Sequence, residues 1–253
     1  MFGNLVKLNL IRLFKSRATL ISTVTVIMVT VFNFFLYYNL KDLILKGVTE
    51  QPVYFWGTYH FIMAAGTIFP AICIIVTFMV CDYYKFRQMI NIEGICRSKA
   101  KLVLSEVAAI FVFSFASSLY PMLCATIGSL LDEVKFGLLI HAPLTTLSIY
   151  LALSLAYFSL LVPIYTFAKI YRKKFPVFIT AIFALPVIVF FAGFLDGVNN
   201  LDGANVFPAL TLLDFALGDI DHINFPVVFL LLIAQNLGWI LISIAASNRK
   251  SDL

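Results

Sequence analysis

ATLISTVTVIMVTVFNFFLYYNL, residues Ala18 to Leu40, runs for twenty-three positions without a charged side chain. Apolar and polar groups do not alternate along it with a period of two, which selects a helix over the strand of a barrel. At about 1.5 Å per residue it covers the roughly 30 Å of a hydrocarbon core. Backbone amides find no water in that core, so only a structure that bonds them internally is stable there. The run is too long for a signal-peptide core and no small-residue cleavage site follows it, so it is expected to remain as a membrane span.

Five further stretches of the same kind lie outward from it, at Tyr59 to Cys81, Leu102 to Ser129, Pro143 to Ala168, Pro176 to Leu195 and Phe225 to Ala246. Charged or Pro/Gly/Asn-rich breaks separate them. The third and fourth spans are long and must tilt, protrude, or kink at Pro121 or Pro163. Composition agrees: 62% of residues are apolar, 12% are charged, and the mean hydropathy is +0.99. One soluble core cannot hide that much apolar surface. The chain, residues 1–253, is therefore expected to be a single all-α domain, a polytopic membrane protein with six transmembrane helices.

Lys and Arg set the orientation. Fifteen of the eighteen fall in the N-terminal arm, the second-to-third connection, the fourth-to-fifth connection and the tail, leaving Lys41, Lys46 and Lys135 for the other side. By the positive-inside rule both termini are cytoplasmic. Nine of the thirteen acidic residues fall on the outer side, in agreement. The net charge of +5 is thus a topological signature, and no nucleic-acid partner is needed to explain it.

Before the first span, Phe2, Leu5, Val6, Leu10 and Leu13 share one helical face and Asn4, Lys7 and Lys15 lie opposite, with Leu8, Asn9 and Ile11 blurring the pattern. This reads as a helix over 1–17 lying in the inner interface, basic groups beside anionic headgroups. The cytoplasmic connection 82–101, DYYKFRQMINIEGICRSKAK, is helix-compatible as far as Asn91 and broken at Gly94. The outer connection 196–224 has turn signals at both ends around Phe207 to Leu217. That stretch is too short to span, so it is expected to lie in the outer interface or to dip in and return.

The chemistry of an enzyme is missing from the sequence. There is no G-x-x-x-x-G-K-[ST], G-x-S-x-G or H-E-x-x-H, and no carboxylates are paired at helical spacing within a span. No ionisable residue falls near the middle of a span, Asp82 and Glu106 being at inner ends, which disfavours a proton-coupled carrier. Cys73, Cys81, Cys96 and Cys124 are scattered without metal-ligand spacing, so neither disulfides nor a metal site is expected. His60, His141 and His222 map to outer edges of spans. They could form a cation or pH site with Asp219 and Asp221, but nothing in the sequence makes them converge, and ordinary interfacial histidines are the preferred reading.

The layout of six spans, inner termini, a leading interfacial helix, a basic inner connection and short outer helices resembles the permease of an ABC-2-type ABC transporter (type V exporter fold). Gly94-Ile95-Cys96-Arg97-Ser98-Lys99-Ala100-Lys101-Leu102-Val103-Leu104-Ser105 is similar to that family's G/P-I-S-R-x-x-K-x-x-x-S stretch, which closes the coupling helix and enters the third span. Cys96 stands where the family has Ser, and Glu106 where relatives often carry a basic residue. The absence of a large outer domain looks most like small Gram-positive permeases for peptide export or immunity, the staphylococcal phenol-soluble modulin exporters among them.

The resemblance implies a homodimer in the bacterial plasma membrane. Two copies of a separate ABC ATPase would hold the ATP and Mg, this chain binding no cofactor and moving an amphipathic toxin or antimicrobial peptide outward. The ATPase contact would fall on Tyr84, Lys85, Phe86, Arg87, Met89, Glu93, Arg97 and Lys99, a mixed apolar and basic knob suited to a groove on a soluble partner. Thr25, Phe32, Asn33, Phe35, Thr180 and Phe183 are candidates for the substrate path, since aromatic walls with few fixed polar groups suit amphipathic cargo. A peptide-binding immunity or sensor protein and a gradient-driven secondary transporter are the alternatives.

Overall fold

The computed structural model describes residues 2–46, 55–85, 98–131, 143–177, 179, 208–217 and 224–249, and among them no strand occurs. Seven helices follow in order: α1 (Phe2–Lys15), α2 (Arg17–Lys46), α3 (Phe55–Lys85), α4 (Lys99–Leu131), α5 (Pro143–Tyr171), α6 (Pro208–Leu217) and α7 (Phe225–Arg249). Five of these are long and apolar enough to cross a membrane, over Arg17–Asn39, Met63–Asp82, Lys99–Gly128, Thr146–Tyr171 and Phe225–Asn248. The chain is a multi-pass membrane protein. The span expected over Pro176 to Leu195 lies, beyond its first residues, outside the described residues.

Several helix starts are legible as caps. Ser16 separates α1 from α2, its hydroxyl accepting the Thr19 N–H at 3.0 Å while its carbonyl accepts the Leu20 N–H at 3.2 Å. Ser98 caps α4, which begins at Lys99, three residues before the expected Leu102, and its hydroxyl faces the Lys101 N–H at 3.5 Å. Asn224 does the same for Val227 at the head of α7. Pro121 and Pro163 do not end their helices: α4 and α5 each continue through as one element.

The core is the trio α3, α4 and α5, each packed on the other two. Of the span windows, that of α3 is 67% buried and that of α2 only 17%, which places α2 at the periphery. Lipid is as apolar as leucine, so helices associate there through close contact and polar bonds. The buried faces accordingly carry small residues, with Ala109, Ser114 and Ser118 on α4 and Ala152, Ser154 and Ala156 on α5. The Ser118 and Ser154 hydroxyls meet at 2.5 Å, and the Tyr150 hydroxyl donates to the Phe115 carbonyl at 2.9 Å.

Helix α1 is docked along α4, and its buried side chains are Leu5, Asn9 and Leu13. Asn9, which blurs the amphipathic pattern in the sequence, is therefore on the packed face, and Phe2, expected there, is exposed. The reason is a polar partner on α4, described below. Helix α6 dips into the bundle: every one of its side chains the structure describes is buried or half-buried, against α5 and α7. Leu212 closes a small cluster with Ala152, Ala156, Val228 and Leu232, and Phe215 meets Phe225 edge-on at 5.2 Å.

At the end of the bundle far from α1, three residues before the apolar span of α3 begins, His60 is 3% exposed. Its ring stacks on Phe34 at 4.1 Å and meets Tyr37 edge-on at 4.8 Å. Gly128 of α4 backs it so closely that a Cβ there would clash with the His60 ring. His141 and His222 lie outside the described residues. Gly128→Ala is expected to lower stability by about 1–3 kcal/mol through overpacking, read as thermal unfolding in detergent. Adding His60→Ala should recover most of the loss, and equal melting of Gly128→Ala and the unaltered chain would disprove the contact.

Candidate functional site

The polar side chains within the spans concentrate where α1, α4, α5 and α7 meet, at the end of the bundle that carries α1. Helix α4 is the hub. Ser105 accepts a hydrogen bond from Asn9 Nδ2 of α1 at 3.2 Å and donates to the Leu102 carbonyl at 2.7 Å. The next residue, Glu106, faces α5, where its Oε2 lies 2.6 Å from Lys169 Nζ and also accepts the Tyr165 hydroxyl. Lys99 reaches α7, its ammonium 3.4 Å from the Ser247 carbonyl in the last turn, where the helix dipole favours a cation. On α5, Thr166 Oγ1 lies 2.8 Å from Ser243 Oγ of α7.

The Glu106–Lys169 pair is buried on both sides, at 5% and 2% side-chain exposure. Taking two such charges out of water costs several kcal/mol per ion, and their attraction repays this only with good geometry and further hydrogen bonds. The Tyr165 hydroxyl supplies one, and the ammonium also stands 5.2 Å from the Tyr165 ring centroid. Tyr165 and Lys169 are one helical turn apart on α5, so a single face of that helix presents the whole receptor for the carboxylate. A buried ion pair in a membrane domain is costly to keep, which makes it a candidate for function.

A second ion pair lies beside it. Lys174, just past α5, stands 2.5 Å from Asp82 in the last turn of α3, with its ammonium 3.8 Å from the Phe78 ring centroid. This pair is about one-third exposed on each side. Between the two lysines Arg172 ends α5 at φ 55°, the left-handed region that side chains bearing a Cβ seldom occupy.

Of the residues expected to meet an ATPase, Phe86, Arg87, Met89, Glu93 and Arg97 lie outside the described residues, as do the side chains of Tyr84 and Lys85 in the last turn of α3. Lys99 is described and turns toward α7. Of the expected substrate path, Thr180 and Phe183 lie outside the described residues. Thr25, Phe32 and Phe35 share the exposed face of α2, and Asn33 is half-buried. Thr25 bonds the Ile21 carbonyl of its own helix at 2.9 Å.

The sequence reading missed Lys169, which it counts with the solvated basic connection; α5 runs three residues further than expected and carries this lysine inside at 3% exposure. The available signal was the spacing of Tyr165 and Lys169 together with a glutamate just after Ser105 that had no local partner. Lys169→Met, which strands the Glu106 carboxylate, is expected to cost about 3–5 kcal/mol of stability. Combining it with Glu106→Gln should return most of that, measured by thermal unfolding in detergent; a double variant as unstable as the single would count against a buried pair.

Compared with protein-family models, with curated proteins and with solved structures, the chain matches none.

Proposed function

We propose that this chain is the membrane subunit of an ATP-driven exporter of amphipathic peptides, working as two copies with two copies of a separate ATPase. The observation that carries the reading is the bonding of α4. Its first two turns, which begin within the last residues of the basic connection 82–101, are tied to α1 through Asn9, to α5 through Lys169 and to α7 through the Ser247 carbonyl. A subunit that pushes on that connection from the cytoplasm would thereby move three other helices at once. A solvated loop whose charges only set topology would have no need of such ties.

The connection itself supplies the surface such a partner needs, with Phe86 and Met89 among Lys85, Arg87 and Arg97. The orientation follows from the Lys and Arg asymmetry and puts both termini with the motor, in the cytoplasm of a bacterium bounded by its plasma membrane. The exposed face of α2, with Met28, Phe32 and Phe35 and only sparse hydroxyls, supports an amphipathic cargo, since it offers contact area with few directional bonds.

An ATPase is expected to co-purify with the chain in equal amount, and joint replacement of Phe86 and Arg87 by Ala should reduce its recovery by roughly tenfold or more, about 1.4 kcal/mol of binding. Peptide export from proteoliposomes should then require ATP. A chain that purifies alone and transports without ATP would overturn the reading.

A further inference from the structure

The two ion pairs have a relation that neither has alone. The chain leaves α3 at Lys85 and returns as α4 at Lys99, and each flank of that passage contributes one acidic residue to the same short turn. Asp82 on the α3 side holds Lys174, and Glu106 on the α4 side holds Lys169. The lysines stand at either end of the turn whose corner is Arg172 in the left-handed conformation. Such a corner persists when its surroundings over-determine it, and two ion pairs anchored on two different helices do so.

The pairs differ in solvation. Glu106–Lys169 is buried, so salt screens it little and parting it leaves bare charge in a dry site. Asp82–Lys174 is partly wet, so its charges rehydrate when they separate. If the adjoining ends of α3 and α4 move together, the turn is carried along whole. If they move apart, the turn must pivot on the buried pair while the wet pair gives way. A single ion pair could not distinguish these two motions.

We propose that Lys169 and Lys174 are positioning residues, a two-point clasp through which the relative displacement of α3 and α4 sets the orientation of the turn 169–174 and of the segment leading from it. This rests on the transport reading above, in which the connection between α3 and α4 receives the partner's push. The wet pair is the releasable point and the buried pair the pivot.

The test is a pair of spin labels at Lys101→Cys on α4 and Phe175→Cys beyond the turn, both exposed positions, with Cys96→Ser to leave the buried cysteines as the only others. The full-length chain is placed in nanodiscs containing anionic lipid, with its ATPase where one co-purifies. Lys174→Glu should broaden the label distance distribution at least twofold, and so should Asp82→Lys. The charge swap Asp82→Lys with Lys174→Glu should restore the original width. Restoration assigns the broadening to the ion pair itself, and the transport readout below separates a positioning role from a merely structural one.

In the ATPase complex, the single changes should lower peptide moved per ATP hydrolysed about tenfold while the ATPase still co-purifies, and the swap should bring it back to within about twofold. Unchanged widths in the single variants, or a swap as broad as either single, would overturn the clasp. A chain that purifies alone and transports without ATP would overturn the transport reading and leave the label result standing, so the two failures are distinguishable.

Discussion

Lipid gives helices no hydrophobic reason to meet, and everything specific about this bundle follows from that constraint. The apolar faces that fill the sequence would be equally content against acyl chains. What holds α3, α4 and α5 together is close packing of their buried faces, with small residues such as Ala109 and Ser114 on α4, and hydroxyls that find each other across the gap, Ser118 of α4 against Ser154 of α5. What holds α1 and α7 to that trio is polar: Asn9 on Ser105, Thr166 against Ser243, Lys99 on the Ser247 carbonyl. The polar inventory of the spans is small, and much of it is spent on helix-to-helix bonds.

This explains which parts were legible in the sequence. Long uncharged runs announce spans because hydrocarbon tolerates little else, and Ala18 to Leu40 is readable on that ground alone. The short stretch before α7 announces a non-spanning helix by its length, and α6 is there. Pairing is a different matter. Lys169 sits in a run with Arg172, Lys173 and Lys174 that composition assigns to solvent, yet the helix carries it inward to a carboxylate on a helix distant in sequence. Asn9 looks like an error in an amphipathic pattern until Ser105 is placed beside it. His60 looks like an edge residue until Gly128 makes room for its ring. In each case the missing information is a tertiary neighbour, which no window along the chain contains.

The candidate site is distributed in the same way. The aromatic and basic residues of the connection 82–101 are visible as composition, but the bonding of the first two turns of α4 to three partners appears only in the fold. The serine that takes Asn9 is followed by a glutamate, and the lysine that answers it comes from α5.

The burial of α6 bears on how the protein is made. At about 1.5 Å per residue, ten residues cover roughly half a hydrocarbon core, so α6 cannot be released into lipid on its own as a finished span. Its neighbours Ala152 and Ala156 come from a helix synthesised earlier, and Val228 and Leu232 from one synthesised later. During translation the segment can pack first along α5, and the slot is completed when α7 follows. Until α7 has been inserted, the side of α6 that meets Val228 and Leu232 stays open, so the order of synthesis is also the order in which this slot closes.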